Sequence, residues 1–342
     1  MNALELCQTE ITRFLREPLV SRDGWERVAR RGACLPSAFS AFYLECRLSP
    51  PGPELDLLAA VRWSEQSSEL ALAPHEEGDA ASTFVSRWLY GAVATNCPLI
   101  WVELDDGAPV GSRPFSNLHI CLEKDYLTRA GGAEPEATAA EWAGGASVSR
   151  ITAEMLHARL LTRAQLDRLQ RVVACLPSGG RLVHVSAMAA RLPMELKLYL
   201  ALPGSSALGF LSSVLEPEWH SRLDALTPWL DARLHGSVVY CDLTFRGNAS
   251  KGVGVVFSQP QIQELQQDAG RRAVRERLVR EGLCTLSQDA ALEAWTGEPL
   301  VQGLPSASGR ALRRWLDLKV TLGPARLVSK AYLGFAPVPL LL

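Results

Sequence analysis

The segment Glu195-Leu196-Lys197-Leu198-Tyr199-Leu200-Ala201-Leu202 alternates strictly between leucine and another residue. Successive side chains of an extended chain point to opposite faces, so a period of two marks a strand with one apolar face. Here the four leucines form that face, and Glu195, Lys197, Tyr199 and Ala201 form the other. The alternation recurs along the chain. In Trp315–Leu322, Leu316, Leu318, Val320 and Leu322 oppose Trp315, Asp317, Lys319 and Thr321. In 100–105, Ile100, Val102 and Leu104 oppose Trp101, Glu103 and Asp105, and in 117–123, Leu118, Ile120 and Leu122 oppose Asn117, His119, Cys121 and Glu123. One face of 238–245 carries Tyr240, Asp242 and Thr244, and one face of 328–335 carries Lys330 and Tyr332.

These runs come in pairs joined by turn-forming residues, which predicts five antiparallel hairpins near 42–63, 99–123, 182–202, 238–257 and 315–335. Between them lie segments with apolar residues three and four apart, the period of a helix. Helices are expected over Ala3–Arg16, Ala80–Val93, Ala153–Cys175 capped by Thr152, Leu208–Leu234 with breaks at Pro217 and Pro228, and Gln261–Gly282. Leu127–Ser147 and Pro299–Gly309 read as exposed loops. The fold class is therefore α+β, about five helix–hairpin repeats in a single domain over 1–342.

The aliphatic face of the strands must pack on the helices, since nothing else in the chain could cover it. Ten strands then either stay open, with the polar face in water, or close into a ten-stranded antiparallel barrel with the helices outside and that face inside. Trp101, Trp315, Tyr199, Tyr240 and Tyr332 on the polar face favour closure, because a solvated face has no need of so many large rings.

Composition narrows the function. The chain has 342 residues, 47% of them hydrophobic, with a formal net charge of −2 and a pI near 6.3, so no global positive field exists for nucleic acid or an anionic membrane. No run of 18 apolar residues occurs, and Glu5, Glu10 and Glu17 do not fit a secretory signal, so no membrane span and a cytoplasmic location are expected. Eight scattered cysteines without a C-x-x-C pair read as buried free thiols in a reducing compartment.

Repeated helix–hairpin units closing a ten-stranded barrel resemble the ABBA aromatic prenyltransferases. The resemblance covers element order over nearly the whole chain. Its local part is Lys197-Leu198-Tyr199 and Lys330-Ala331-Tyr332, with Lys319 on a neighbouring run. It implies that such basic residues hold a prenyl diphosphate and such tyrosines shield the allylic cation. Arg47, Arg62, Lys197, Lys319 and Lys330 are the candidate cations. Tyr199, Tyr240, Tyr332 and Trp101 are the candidate ring residues. Glu103 or Glu45 would position the aromatic acceptor or take its proton. No D-D-x-x-D box is present, and neither a metal nor another cofactor is expected. The same face is rich in acids: Glu45, Glu103, Asp105, Glu123, Glu195, Asp242 and Asp317. That leaves a second reading, a non-catalytic peptide-binding accessory protein of ribosomal peptide natural-product biosynthesis. The partners are thus a prenyl diphosphate with an aromatic acceptor, or a peptide.

Other motifs lead to less. His119 and His184 fall on the polar face, as functional groups or as satisfied structural histidines. Gly252–Phe257 lacks the third glycine and the helix of a dinucleotide fingerprint. The arginines of Arg271–Arg280, and Arg310, Arg313 and Arg314, read as solvated helix faces.

Overall fold

The computed structural model describes residues 3–33, 35, 37–62, 80–89, 99–106, 117–122, 145–189, 191, 193–231, 238–258, 269–297, 301–303 and 310–339. Its strands are β1 (Ala41–Ser49), β2 (Pro51–Arg62), β3 (Leu99–Leu104), β4 (Asn117–Cys121), β5 (Arg181–Met188), β6 (Glu195–Pro203), β7 (Val238–Arg246), β8 (Ala249–Phe257), β9 (Val301–Gly303), β10 (Arg310–Leu322) and β11 (Leu327–Pro339). The helices are α1 (Ala3–Thr12), α2 (Arg22–Gly32), α3 (Ala80–Leu89), α4 (Gly145–His157), α5 (Arg163–Ala174), α6 (Ala207–Val214), α7 (Pro217–Leu223), α8 (Ala269–Arg280) and α9 (Leu286–Gly297).

Every strand pair is antiparallel, and the order β11-β1-β2-β3-β4-β5-β6-β7-β8-β10 is completed by pairing of β10 with β11. The sheet is thus a closed ten-stranded barrel, with β9 as a short annex on β10. Of the two outcomes left open by the sequence, closure is the one adopted. All five hairpins form where the alternation places them. The turn at Gly247 and Asn248 is tight, and Gly247 takes a φ of +60°, which suits a residue without a side chain.

The leucines of β6 sit at 0% exposure in one large core between barrel and helices, together with Phe84, Trp88, Leu211, Trp229 and Trp295. The inward face has a smaller apolar cluster of its own, built from Ala41, Tyr43, Leu58, Ala60, Leu99, Trp101, Cys121 and Ala336, with Trp315 and Tyr332 against it. Room for these rings comes from an inward glycine. A Cβ at Gly334 would lie 2.1 Å from Nε1 of Trp315, its cross-strand partner.

Several local expectations are corrected. The helix expected over Ala153–Cys175 is two helices, and Thr152 lies inside the first. Arg159 takes a φ of +60°, which ends α4, and Thr162 with Gln165 forms the capping box that starts α5. The breaks at Pro217 and Pro228 occur: Pro217 opens α7, and Pro228 sits in a short 3₁₀ turn, Thr227–Leu230. Helices α2 and α9 were not foreseen, although Ser21 caps α2 by accepting from the Gly24 N–H. Residues 301–303, expected in a loop, form β9, and 145–147 open α4. Residues 127–144 and 304–309 lie outside the described residues, as do Glu123, Cys34 and Cys97. The remaining six cysteines are free; Cys175 is exposed and the others are buried.

Arg310, Arg313 and Arg314 belong to a strand, not to a helix face. Arg314 is 1% exposed, lies 3.4 Å from the ring centroid of Phe14, and donates from Nη1 to the Trp295 carbonyl. A guanidinium is weakly hydrated and stacks well, so it tolerates such a site when its donors are met. Arg275 is likewise buried, held by Asp289 and Glu293. Among the described residues, no helix is long and apolar enough to cross a membrane.

Two glycine substitutions test the packing. Gly334→Ala should lower stability by about 1–3 kcal/mol, because Trp315 must leave its place. Gly209→Ala, in α6 with nothing within 4 Å of the added carbon, should raise it by roughly 0.5–1 kcal/mol. Denaturant midpoints of the two variants measure both.

Candidate functional site

The inward positions of all ten barrel strands line one cavity: Tyr43 and Glu45 of β1, Leu58 of β2, Trp101 and Glu103 of β3, His119 of β4, His184 and Ser186 of β5, Lys197 and Tyr199 of β6, Asp242 of β7, Val256 of β8, Asp317 and Lys319 of β10, and Tyr332 of β11. The space reachable by the centres of water-sized molecules is about 100 Å³. An apolar cavity of about 150 Å³ holds a benzene ring, so this smaller lumen has room for several waters, and a small ring enters it only as lining side chains shift.

Tyr43 is the hub of the aromatic side. Its ring centroid lies 5.1 Å from Trp101, 5.4 Å from Trp315 and 6.1 Å from Tyr332. Its hydroxyl donates to Asp317 Oδ2 at 2.6 Å. On another wall His184, Tyr199 and Tyr240 stack in succession, with centroids 5.2 and 5.5 Å apart.

The polar side is a set of matched charges. Lys319 Nζ lies 2.5 Å from Asp242 Oδ2, and Lys330 Nζ is hydrogen-bonded to Glu45 Oε1. Gly254 makes the first pair possible, since a Cβ there would lie 1.7 Å from Asp242 Oδ1 and 2.6 Å from Lys319 Cε. Burial acts to raise the Glu45 carboxyl, but Lys330 outweighs it and holds Glu45 below its usual range. Burial likewise acts to lower Lys330, and Glu45 lifts it above the ordinary lysine value.

A hydrogen-bonded chain runs through the middle. His119 Nδ1 is 2.8 Å from Ser186 Oγ, and its Nε2 is 2.9 Å from Glu103 Oε2. Burial acts to raise Glu103, but the bond to His119 and the charges of Lys197 and Arg191 hold it well below the usual carboxylate range. Burial also lowers His119, more than Glu103 restores it, so the ring is neutral at pH 7. With an ionised carboxylate at Nε2, the ring proton sits there, and Nδ1 accepts the Ser186 hydroxyl proton. Trp101, His119, Ser186 and Lys197 follow one another across β3, β4, β5 and β6 as register partners, so His119 and Ser186 share a row with Lys197, and Glu103 reaches His119 from the next inward position of β3.

Seven of the eleven candidate residues read from the sequence meet in this lumen: Glu45, Trp101, Glu103, Lys197, Tyr199, Lys319 and Tyr332. Lys330 and Tyr240 also hold inward strand positions, beside the cavity lining and against Glu45 and Tyr199. Arg47 pairs with Glu54 at 2.6 Å and Asp56 at 3.5 Å near the start of β2, whereas Arg62 ends that strand. Eight residues of strand separate Glu54 from Arg62, or about 26 Å at ~3.3 Å per residue, so the two arginines cannot reach one diphosphate. Tyr43, Ser186, Asp242 and Asp317 join the site. Asp242 and Asp317 stand on the face where the alternation placed them, and counting by twos from Glu45 and His184 would have found Tyr43 and Ser186.

Below the chain, Asp56, Glu103 and Asp105 bring carboxylate oxygens within 4.8 Å of one another, a donor set that could hold a cation. Without one they share protons instead. Burial and then Glu45 push Asp56 up to about 6, and burial and then Glu103 push Asp105 up to about 7. Each raised carboxyl adds stability below its ordinary pKa of 3.8, and loses it as pH climbs through the raised value. His184, lowered by burial to about 3, acts in the opposite sense, but only below the ordinary histidine value of 6.5. Between pH 6.5 and about 7 the slope therefore belongs mainly to Asp105, below the range in which the lowered amine of Lys197, at about 8, acts in the opposite sense. The melting temperature should fall over that range, and Asp105→Asn should flatten the fall, as thermal melts of both proteins will measure.

No protein-family model matches this chain, and no curated protein is significantly similar to it.

Proposed function

We propose that the barrel binds a small, ring-bearing organic molecule in its lumen and exchanges a proton with it through Ser186, His119 and Glu103. The observation that carries this reading is the hydrogen-bonded chain opening on an aromatic-walled cavity. Neutral His119 has the tautomer that a general base needs, and Glu103 holds it in that tautomer. Two buried polar atoms support a polar ligand. Trp101 Nε1 and Asp242 Oδ1 lack hydrogen-bond partners among the described residues, and a bound molecule carrying both donor and acceptor groups would satisfy them.

The charge balance favours a ligand without a diphosphate. The lining carries four carboxyl groups and two lysines, and Lys319 is already paired with Asp242. A diphosphate would have to break that pair and the one between Lys330 and Glu45, leaving buried carboxylates uncompensated. A prenyl-transfer role in an ABBA-like barrel, or a peptide-binding role, remains the competing reading, and the two differ in what binds.

Isothermal titration with phenol, indole and dimethylallyl diphosphate separates them. A ring of six to nine heavy atoms should bind with a dissociation constant of roughly 0.1–10 mM, given typical energies per atom. Trp101→Phe and His119→Ala should each weaken it several-fold, and the diphosphate should give no heat. Diphosphate binding that is lost in Lys319→Ala would overturn the proposal in favour of prenyl transfer. Absence of binding by either ring would overturn it too.

A further inference from the structure

The chain has 35 basic residues, of which only five are lysines: Lys124, Lys197, Lys251, Lys319 and Lys330. Three of those five stand on inward strand positions, and among the described residues the lysines and arginines that line the cavity are Lys197 and Lys319. Arginine dominates elsewhere. The distinction is chemical, because a guanidinium stays protonated in a protein, whereas an amine can give up its proton and attack carbon.

The lumen lysines differ in one respect. Lys319 is clamped to Asp242 and Lys330 to Glu45. Lys197 has no hydrogen-bond or ion-pair partner among the described residues, although it lines the cavity. It stands directly across from Ser186 on the paired strands β5 and β6, two steps along the row from His119. Lys319 on β10 repels its proton, as does Arg191, while Glu103 on β3 and Asp242 on β7 favour it without touching it.

We propose that Lys197 is the nucleophilic amine of the lumen and condenses with the carbonyl carbon of a small aromatic aldehyde or ketone to form an imine. The Nζ lone pair attacks the carbonyl carbon, and the C=O π pair moves to oxygen, which takes up a proton. Nitrogen loses a proton to give a neutral carbinolamine. The carbinolamine hydroxyl accepts a second proton and leaves as water, the nitrogen lone pair forms the C=N bond, and the resulting iminium gives up its remaining N–H proton to leave the neutral imine. The step is a condensation and needs no oxidant or reductant. Ser186, hydrogen-bonded to His119 and across from Lys197, is placed to pass these protons.

Burial, and then the charge of Lys319, bring the Lys197 amine down to about 8. At pH 7.5 such an amine is neutral in roughly a quarter of molecules, against about one in a thousand for an ordinary lysine. This proposal rests on the lumen being the binding site. Titration reads occupancy of the lumen, whereas chemical trapping reads amine chemistry at one residue, so either can fail alone.

The test is reduction of the full-length protein with sodium borohydride in the presence of 4-hydroxybenzaldehyde, followed by peptide mass spectrometry. The hydride converts any imine to a stable secondary amine. The expected adduct sits on Lys197, at least tenfold above Lys251, with a half-maximal labelling rate near pH 8. Lys197→Arg keeps the charge and should lose the adduct, and Ser186→Ala should form it more slowly. Equal labelling of Lys197 and Lys251, or no adduct at Lys197 under conditions that label Lys251, would overturn the proposal. Both outcomes are read on the wild-type protein, so neither depends on a variant folding.

Discussion

The ladder between β1 and β11 joins the first strand of the sheet to the last, through seven residue pairs from Phe42↔Phe335 to Ser49↔Ser329. The longest strands in the chain, β10 and β11, lie beside it and pair over 13 positions. Closure removes the exposed edges on which an open ten-stranded sheet would associate. It also fixes what lies inside. Because side chains alternate, a ladder shifted by one residue would send Glu45, Tyr332 and Lys330 to the helices and their aliphatic neighbours to the lumen.

Closure of a sheet with acids and lysines on its inner face creates a cost that the sequence meets in pairs. An unpaired buried charge is far more expensive than a paired one. Glu103 meets His119 across its own hairpin and Arg191 from beyond the end of β5, but Asp242 with Lys319 and Glu45 with Lys330 are each drawn from strands distant in sequence. They can therefore form only when the barrel is complete. Two of the three lumen lysines are committed to this internal matching, and their role is positional. Lys197 is left over, and the chemistry argued for the site follows from that surplus.

Most of this fold could be read from alternation alone. The leucines of β6 and β10 named one face, and Lys197, Tyr199, Asp317 and Lys319 named the other, because the period-two signal is strong where a strand is apolar on one side. Closure was less legible, since it depends on one long-range ladder that leaves no local mark. The helices were legible in proportion to their apolar stripe. Helix α2 has such a stripe in Trp25, Val28, Ala29 and Gly32, but it is short and set among Arg22, Arg27, Arg30 and Arg31, and the helix was missed. Arg314 misled for a related reason, as an arginine reads as a surface residue until Phe14 and Trp295 are seen around it. The site was half legible. Parity along each strand gave its walls, but which cations have partners is a property of the closed barrel, and Ser186 gained meaning only when β4 and β5 put it beside His119.

The account turns on one lumen amine having no hydrogen-bond or ion-pair partner among the described residues while its neighbours are matched. Lysine labelled with carbon-13 at Cε gives one resonance for each of the five lysines, and Lys197→Arg assigns one of them. Titration from pH 6 to 11 should move the Lys197 signal with a midpoint of about 8, and the Lys330 signal only above the ordinary lysine range. A Lys197 midpoint at or above about 10.4, the value of a free lysine, would contradict it.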